Sequence, residues 1–259
     1  MSRLLEKIKE CTSAEAQPMG FGAARRASRL CPVLIARLAS DSIGSLKERL
    51  DGADAIIAPA GALKKMKDAA PEAIWGGWLA GEAGDEAGDA AEAGGDFLVF
   101  HAEQTPLTLL ENKDAGRVML ADVSAEGGLL RAISGVPADA VLAGGEPLEG
   151  NSLSWQKLLY LQRLADFVKQ PLLAPVPLDI TEKELETLWG SGVVGMVVEL
   201  TGREAADSLG KLRKMLGGMD FSAGKKGKGA AVLPRLAPEP EPSKAPPTEV
   251  PEIEPEEDD

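Results

Sequence analysis

The chain has 259 residues, and 44% of them are apolar, so it can bury a sizeable core in one large domain or two small ones. Its formal charge of −13 opposes nucleic-acid backbones and anionic membrane surfaces as partners. No run approaches the roughly 20 apolar residues that a bilayer span needs. "MSRLLEKIKEC" lacks the apolar segment of a signal peptide, and Cys11 and Cys31 form no CxxC. These features lead us to expect a soluble, cytoplasmic protein with two reduced thiols.

In chain order, "SRLLEKIKEC" reads as an amphipathic helix and "AQPMGFGAARR" as a lead-in loop or short strand. Eight short apolar runs then recur at near-regular spacing: residues 32–38, 53–59, 74–80, 96–102, 117–123, 138–144, 171–177 and 194–200. Most are rich in Val, Ile and Leu without clean alternation, as in strands buried on both faces of a parallel sheet. Aromatic residues make up only 4%, so small aliphatic side chains must fill the core.

Helical signals alternate with these runs. "SIGSLKERLDG" opens on Ser and stops at Gly52, and "GALKKMKDAAPEA" follows the second run. "GEAGDEAGDAAEAGG" carries too many glycines for more than a short or irregular helix, at about 1 kcal/mol each relative to Ala. "TPLTLLENKDAG" offers Thr105 as N-cap, Pro106 at the first helical position and Gly116 as the stop. "SWQKLLYLQRLADFVKQ" presents Trp155, Leu158, Leu159, Leu161, Leu164 and Phe167 as an apolar face. Thr181 with Glu184, and Thr201 with Glu204, read as capping boxes.

Eight strand–helix units in this length predict a closed (β/α)₈ barrel of parallel strands. The barrel spans 32–217, with residues 1–31 as an N-terminal helix and lead-in that caps its bottom. An open doubly wound sheet would carry a glycine-rich loop after its first strand, and "RLASDS" has no glycine. The segments "LWGSGVVGMVVEL" and "ADAIIAPAGALKKM" resemble units of the TIM-barrel superfamily. The first is similar to the last unit of phosphate-binding barrels, where a helix ends in "aGadGvvvG". The likeness covers roughly 30–217 and implies a fold, not a reaction. Where that pattern ends in Gly with Ser or Thr, this chain has Glu199 and Leu200. Only the amides of Thr201 and Gly202 would then face an anion.

In such a barrel chemistry sits at the C-terminal ends of the strands. The polar residues there are Arg37, Trp78, His101, Glu103, Asp122, Glu146, Asp179 and Glu199. Period two places His101 and Glu103 on one face above Phe97 and Val99. No lysine projects from a strand end for Schiff-base chemistry, one histidine cannot build a multi-histidine zinc site, and G-x-S-x-G is absent. What remains is carboxylate chemistry with one imidazole. His101, Glu103 and Asp122 are the candidate catalytic residues. Arg37, Trp78, Glu146, Glu199, Thr201 and Gly202 are the candidate substrate contacts. Carboxylates from consecutive strands would suit a divalent metal such as Mg²⁺ or Mn²⁺. Trp75 and Trp78 around Gly76 and Gly77 would suit a stacked FMN, against the alternative that a Trp fills the space beside the glycines. Arg37 would anchor an anionic group or neutralise Glu199 across the seam of the barrel.

From Gly217 the composition turns Gly- and Lys-rich. "PEPEPSKAPPTEVPEIEPEEDD" then carries nine acids against one lysine, which leaves about −5 on the other residues. This stretch lacks a core-forming pattern, so 218–259 is expected to be a disordered, acidic tail. The leading functional expectation is a small-metabolite lyase or isomerase. The alternative is a non-catalytic barrel that serves as a binding or scaffold module and meets a protein partner through the tail. Deleting the chain from Pro238 onward should leave the melting temperature nearly unchanged in a thermal melt, whereas a fall of more than a few degrees would show that the tail docks on the fold.

Overall fold

The computed structural model describes residues 2–12, 30–38, 50, 52–79, 93–145, 148, 152–201 and 205–221. The expected helix at 42–49, the lead-in after Thr12, the glycine-rich segment at 81–92, Glu146, Gly202, Glu204 and the chain from 222 lie outside them. Eight strands occupy the eight predicted runs: β1 (Val33–Leu38), β2 (Ala55–Pro59), β3 (Trp75–Trp78), β4 (Phe97–His101), β5 (Gly116–Asp122), β6 (Ala140–Gly144), β7 (Leu172–Pro175) and β8 (Val193–Leu200). They pair in parallel and in sequence order, and β1 pairs with β8 from Val33↔Gly195 to Leu38↔Leu200, so the sheet is a closed barrel.

Six α-helices lie among the described residues: α1 (Arg3–Thr12), α2 (Leu63–Ala69), α3 (Gly127–Ile133), α4 (Trp155–Phe167), α5 (Glu182–Gly190) and α6 (Ala205–Gly218). None is long and apolar enough to cross a membrane. Two cores result. An inner one fills the barrel with Val33, Ile35, Ile57, Phe97, Val99, Val118, Leu142, Leu173 and Val197. An outer one, with Leu34, Ile56, Leu98, Met119, Val141 and Val198, meets the helices. Successive residues of each strand alternate between the two, which is why the runs read as continuous apolar stretches.

Leu4 and Ile8 of α1 are buried in the inner core, so α1 plugs one end of the barrel. Asp96 fixes which end. It immediately precedes β4, and its carboxylate accepts from Ser2 Oγ (2.7 Å), the Arg3 N–H (2.8 Å) and the Leu4 N–H (3.0 Å). Those amides open α1 and have no partner inside the helix, so a carboxylate there satisfies them and complements the helix dipole. The plug therefore sits at the N-terminal ends of the strands, as expected.

Aspartates also stand immediately before β2 and β6, but their carboxylates bond the preceding strand and not a helix start. The Asp54 N–H donates to Leu34 O, and its carboxylate accepts from the Leu34 N–H at 2.9 Å. Asp139 makes the same pair of bonds with Arg117. Asp54 also receives both guanidinium nitrogens of Arg213 on α6 at 2.9 Å. Its side chain is only 6% exposed, so this fork ties the first two strands to the last helix.

Several expectations are corrected. "TPLTLLENKDAG" forms only a 3₁₀ turn, Leu107–Glu111, preceded by Pro106 without a side-chain cap. Asn112 ends it, because its side-chain oxygen accepts from the Asp114 and Ala115 amides and turns the chain into β5, which begins at Gly116. On α4, Ser154 is the N-cap and Leu161 and Leu164 are buried, but Trp155 (84% exposed) and Leu159 (66%) face outward. The apolar residues of that helix wrap more than one face. Met219 and Phe221 are buried, with Phe221 against Trp189, so packing extends four residues beyond the boundary set at 217. The capping box on α5 is present as expected: Thr181 Oγ1 accepts from the Glu184 N–H, and Glu184 accepts from the Thr181 N–H at 2.9 Å and from its hydroxyl at 2.7 Å.

Asp54→Ala should cost about 2–4 kcal/mol in urea unfolding, because it strands the guanidinium of Arg213 and the Leu34 amide together; a loss near zero would show that the fork holds nothing. The two bonds from Thr181, backbone first, hold the Glu184 carboxyl below its ordinary value of 4.5. A depressed folded-state value gives stability that is present above that pH and lost as pH falls through the folded value. The stability gap between wild type and Glu184→Ala should therefore be widest near neutrality and narrow in melts taken below pH 4.5, and a pH-independent gap would contradict it.

Candidate functional site

The strands bring three of the expected residues together at the C-terminal mouth. Arg37, Trp78 and His101 share the inward parity of Val33 and Ile35, of Gly76, and of Phe97 and Val99. Pairing sets their heights. Arg37 is level with Ile57, Pro59 with Trp78, and Trp78 with Val99, so His101 stands one inward position above Trp78. The Arg37 side chain reaches past β2, and its guanidinium carbon lies 4.0 Å from the Trp78 ring centroid. The His101 ring meets the same indole edge-on, with centroids 6.0 Å apart at 81°. Cation, indole and imidazole thus form one contact chain across β1, β3 and β4. Stacking of this kind contributes about 0.5–2 kcal/mol and presents a planar donor fork beside an aromatic surface.

Local packing explains why Trp78 points here. A Cβ at Gly76 would overlap the Phe97 ring, so the absent side chain lets Phe97 lie across the barrel. The space that the sequence offered to a tryptophan is thus filled by a phenylalanine. Trp75 lies in the outer core, its indole N–H on Ala70 O at 2.7 Å, while Trp78 packs against the inner one. The two indoles occupy opposite faces of the sheet and do not make the single stacking platform that FMN would require.

The carboxylates do not converge. β4 ends at His101, and the Gln104 and Thr105 amides fold back to His101 O, so Glu103 sits exposed on a turn and not on the strand face. Asp122 ends β5, but its Oδ1 accepts from the Ser124 N–H (2.8 Å) and hydroxyl (2.7 Å), a turn that rests against Gly145 at φ +100°. Glu199 is level with Arg37 in the β1–β8 register, yet it is exposed and makes no ion pair with it, because the guanidinium is turned onto Trp78. Thr201 is exposed just beyond β8, and Glu146 and Gly202 are outside the described residues. Among the described residues no three His, Cys, Asp or Glu side chains are gathered closely enough to hold a metal ion, so the expected carboxylate–metal set is not assembled by them.

Thr105 adds a group that its reading as a helix cap concealed. Its hydroxyl is buried and has no hydrogen-bond partner, two positions beyond Glu103 on the loop that folds back to His101. A cavity of about 380 Å³, lined by Arg3, Trp75, Asp96, Asn112 and Asp114, opens at the opposite face. Its strongest polar groups are committed to the scaffold: Asp96 holds α1, and Arg3 donates to the carbonyls of Glu72 and Ala73.

No protein-family model and no curated protein sequence matches the chain. Solved structures do. A thiamine phosphate pyrophosphorylase from Pyrococcus furiosus superposes with a TM-score of 0.53 at 16% identity, over 71% of this chain and 95% of that one. A mutant tryptophan synthase α-subunit from Pyrococcus furiosus gives 0.52 at 15%, over 73% and 99%. An aldolase designated QR15 gives 0.52 at 12%, over 69% and 93%. The fold is a TIM barrel. At these identities the likeness carries the architecture alone, and the chemistry of this TIM barrel has to be read from its own mouth.

Proposed function

We propose that this TIM barrel is an enzyme acting on a small, anionic, oxygen-rich metabolite, of lyase or isomerase type. One observation carries the reading: the Arg37–Trp78–His101 contact chain at the C-terminal mouth. Arg37 would hold a carboxylate or phosphate through its fork, as guanidinium geometry favours. Trp78 would present a flat wall to the carbon skeleton. His101 brings an imidazole, a side chain able both to accept and to donate a proton, so it would serve as acid and base beside a carbonyl or hydroxyl.

A second reading has an observation of its own. Glu103 and Glu199 face solvent and Asp122 is spent on a turn. A barrel that serves only as a binding or scaffold module, with its acidic tail as the contact, would dispose its carboxylates in this way.

Thermal-shift screening of small carboxylates and phosphate esters separates the two. A ligand at 100 times its dissociation constant stabilises the fold by about 2.7 kcal/mol. Arg37→Ala should abolish that shift, whereas His101→Ala should keep it and lower turnover by about 10²–10⁴-fold. A screen without shifts, or a shift that Arg37→Ala leaves intact, would overturn the enzyme reading in favour of the scaffold.

A further inference from the structure

Cys11 and Cys31, far apart in sequence, meet at the N-terminal face. Cys11 lies in the last turn of α1 and Cys31 just before β1. The Cys31 N–H donates to Cys11 O at 3.3 Å, satisfying one of the carbonyls that a helix C-terminus leaves open. A backbone bond of this kind holds the two Cα atoms close to the span of about 4.4–6.8 Å that a disulfide needs. Both side chains are thiols and both residues are partly buried, and the Cys31 thiol donates to Pro32 O at 3.4 Å. Cys11 borders the inner core and Cys31 the outer one, so a bond between them would fasten the plug to the strand layer. The other end of α1 is already fastened by Asp96.

We propose that Cys11 and Cys31 form a redox modification site, in which an intramolecular disulfide, made by exchange with a low-molecular-weight disulfide, locks α1 into the base of the barrel. The Cys31 thiolate attacks one sulfur of the reagent, and the other sulfur leaves as a thiolate that takes up a proton. Cys11 then loses its proton and attacks the Cys31 sulfur of the mixed disulfide, displacing the second thiol. Two protein thiols are oxidised by two electrons and one reagent disulfide is reduced to two thiols. The order of attack follows from the surroundings of Cys11. Burial, then Asp54, push its thiol up to about 11, Cys31 adds to this, and Lys7 and Arg213 oppose it. Cys11 therefore stays protonated at neutral pH and serves as the resolving thiol, so closure should quicken as pH rises towards that value.

The test treats the full chain with oxidised glutathione at pH 7 and pH 9 and follows intact mass, peptide mapping and melting temperature. The expected product has lost two hydrogens, links the Cys11 and Cys31 peptides within one chain, forms faster at pH 9, and melts roughly 5–10 °C higher until dithiothreitol reverses it. Cys11→Ser should stop at a glutathione adduct on Cys31 without that rise. Stable adducts on the wild type, a bond between two chains, or a linked product that melts no higher would each overturn the proposal. If Cys11→Ser misfolds, the mapping and melting of the wild type still decide it.

Discussion

Closure of the sheet at the β1–β8 seam is the constraint on which the rest of the structure depends. Six consecutive residue pairs join the first strand to the last, and nearly the whole barrel separates them in sequence. Such a pairing yields nothing until every intervening unit is in place, because the entropy of closing the long loop precedes the contacts that reward it. Asp54 stands beside that seam. It bonds the edge of β1 and receives the fork of Arg213 from α6, so the first, second and final elements share one carboxylate. Asp96 and Asp139 stand before β4 and β6 in the same position. Asp96 bonds the start of α1 and Asp139 the start of β5, and these bonds consume polar groups at the N-terminal face.

That consumption divides the molecule. At the base, carboxylates and amides answer one another and α1 seals the inner core, so a sizeable cavity offers few uncommitted groups. At the mouth the scaffold asks less of the side chains. The inward positions that end β1, β3 and β4 carry a cation, an indole and an imidazole stacked on one another and not held by hydrogen bonds. A stacked guanidinium keeps its donors available in its own plane while its face is covered. Packing below them fixes the geometry: Phe97 fills the section that Gly76 vacates, and Val99 sits level with Trp78.

Much of the fold was legible because strands buried on both faces have a strong signature. All eight apolar runs became strands, and the plug on the base was visible in the amphipathic first helix. Losses came where a local signal had two meanings. Thr-Pro at 105–106 reads as a helix start, yet Asn112 captures the chain after one 3₁₀ turn. Gly127 and Gly128 hid α3, whose Leu130 and Ile133 are buried all the same. Trp155 and Leu159 look like core on an apolar helix, but burial on α4 is set by Leu161 and Leu164. The aspartate device was present in plain sight: "ADAIIA" at 53–58 and "ADAVLA" at 138–143 repeat the same acid in front of the same strand.

The site was legible by position and not by partnership. Strand parity put His101 on the face of Phe97 and Val99, and the placement holds because His101 remains within its strand. Glu103 failed the same rule because the strand stops at His101, and beyond a strand end parity has no meaning. Arg37 and Glu199 show the complementary limit. Register makes them neighbours, and simple charge matching joins them. An exposed carboxylate gains little from a salt bridge in water, whereas the guanidinium gains by laying its weakly hydrated face on a half-covered indole. Side-chain reach and desolvation therefore choose the partner two strands away over the one alongside. The choice leaves Glu199 in solvent, frees the rim of the last strand from a fixed ion pair, and gathers the positive charge of the mouth on the side where His101 stands.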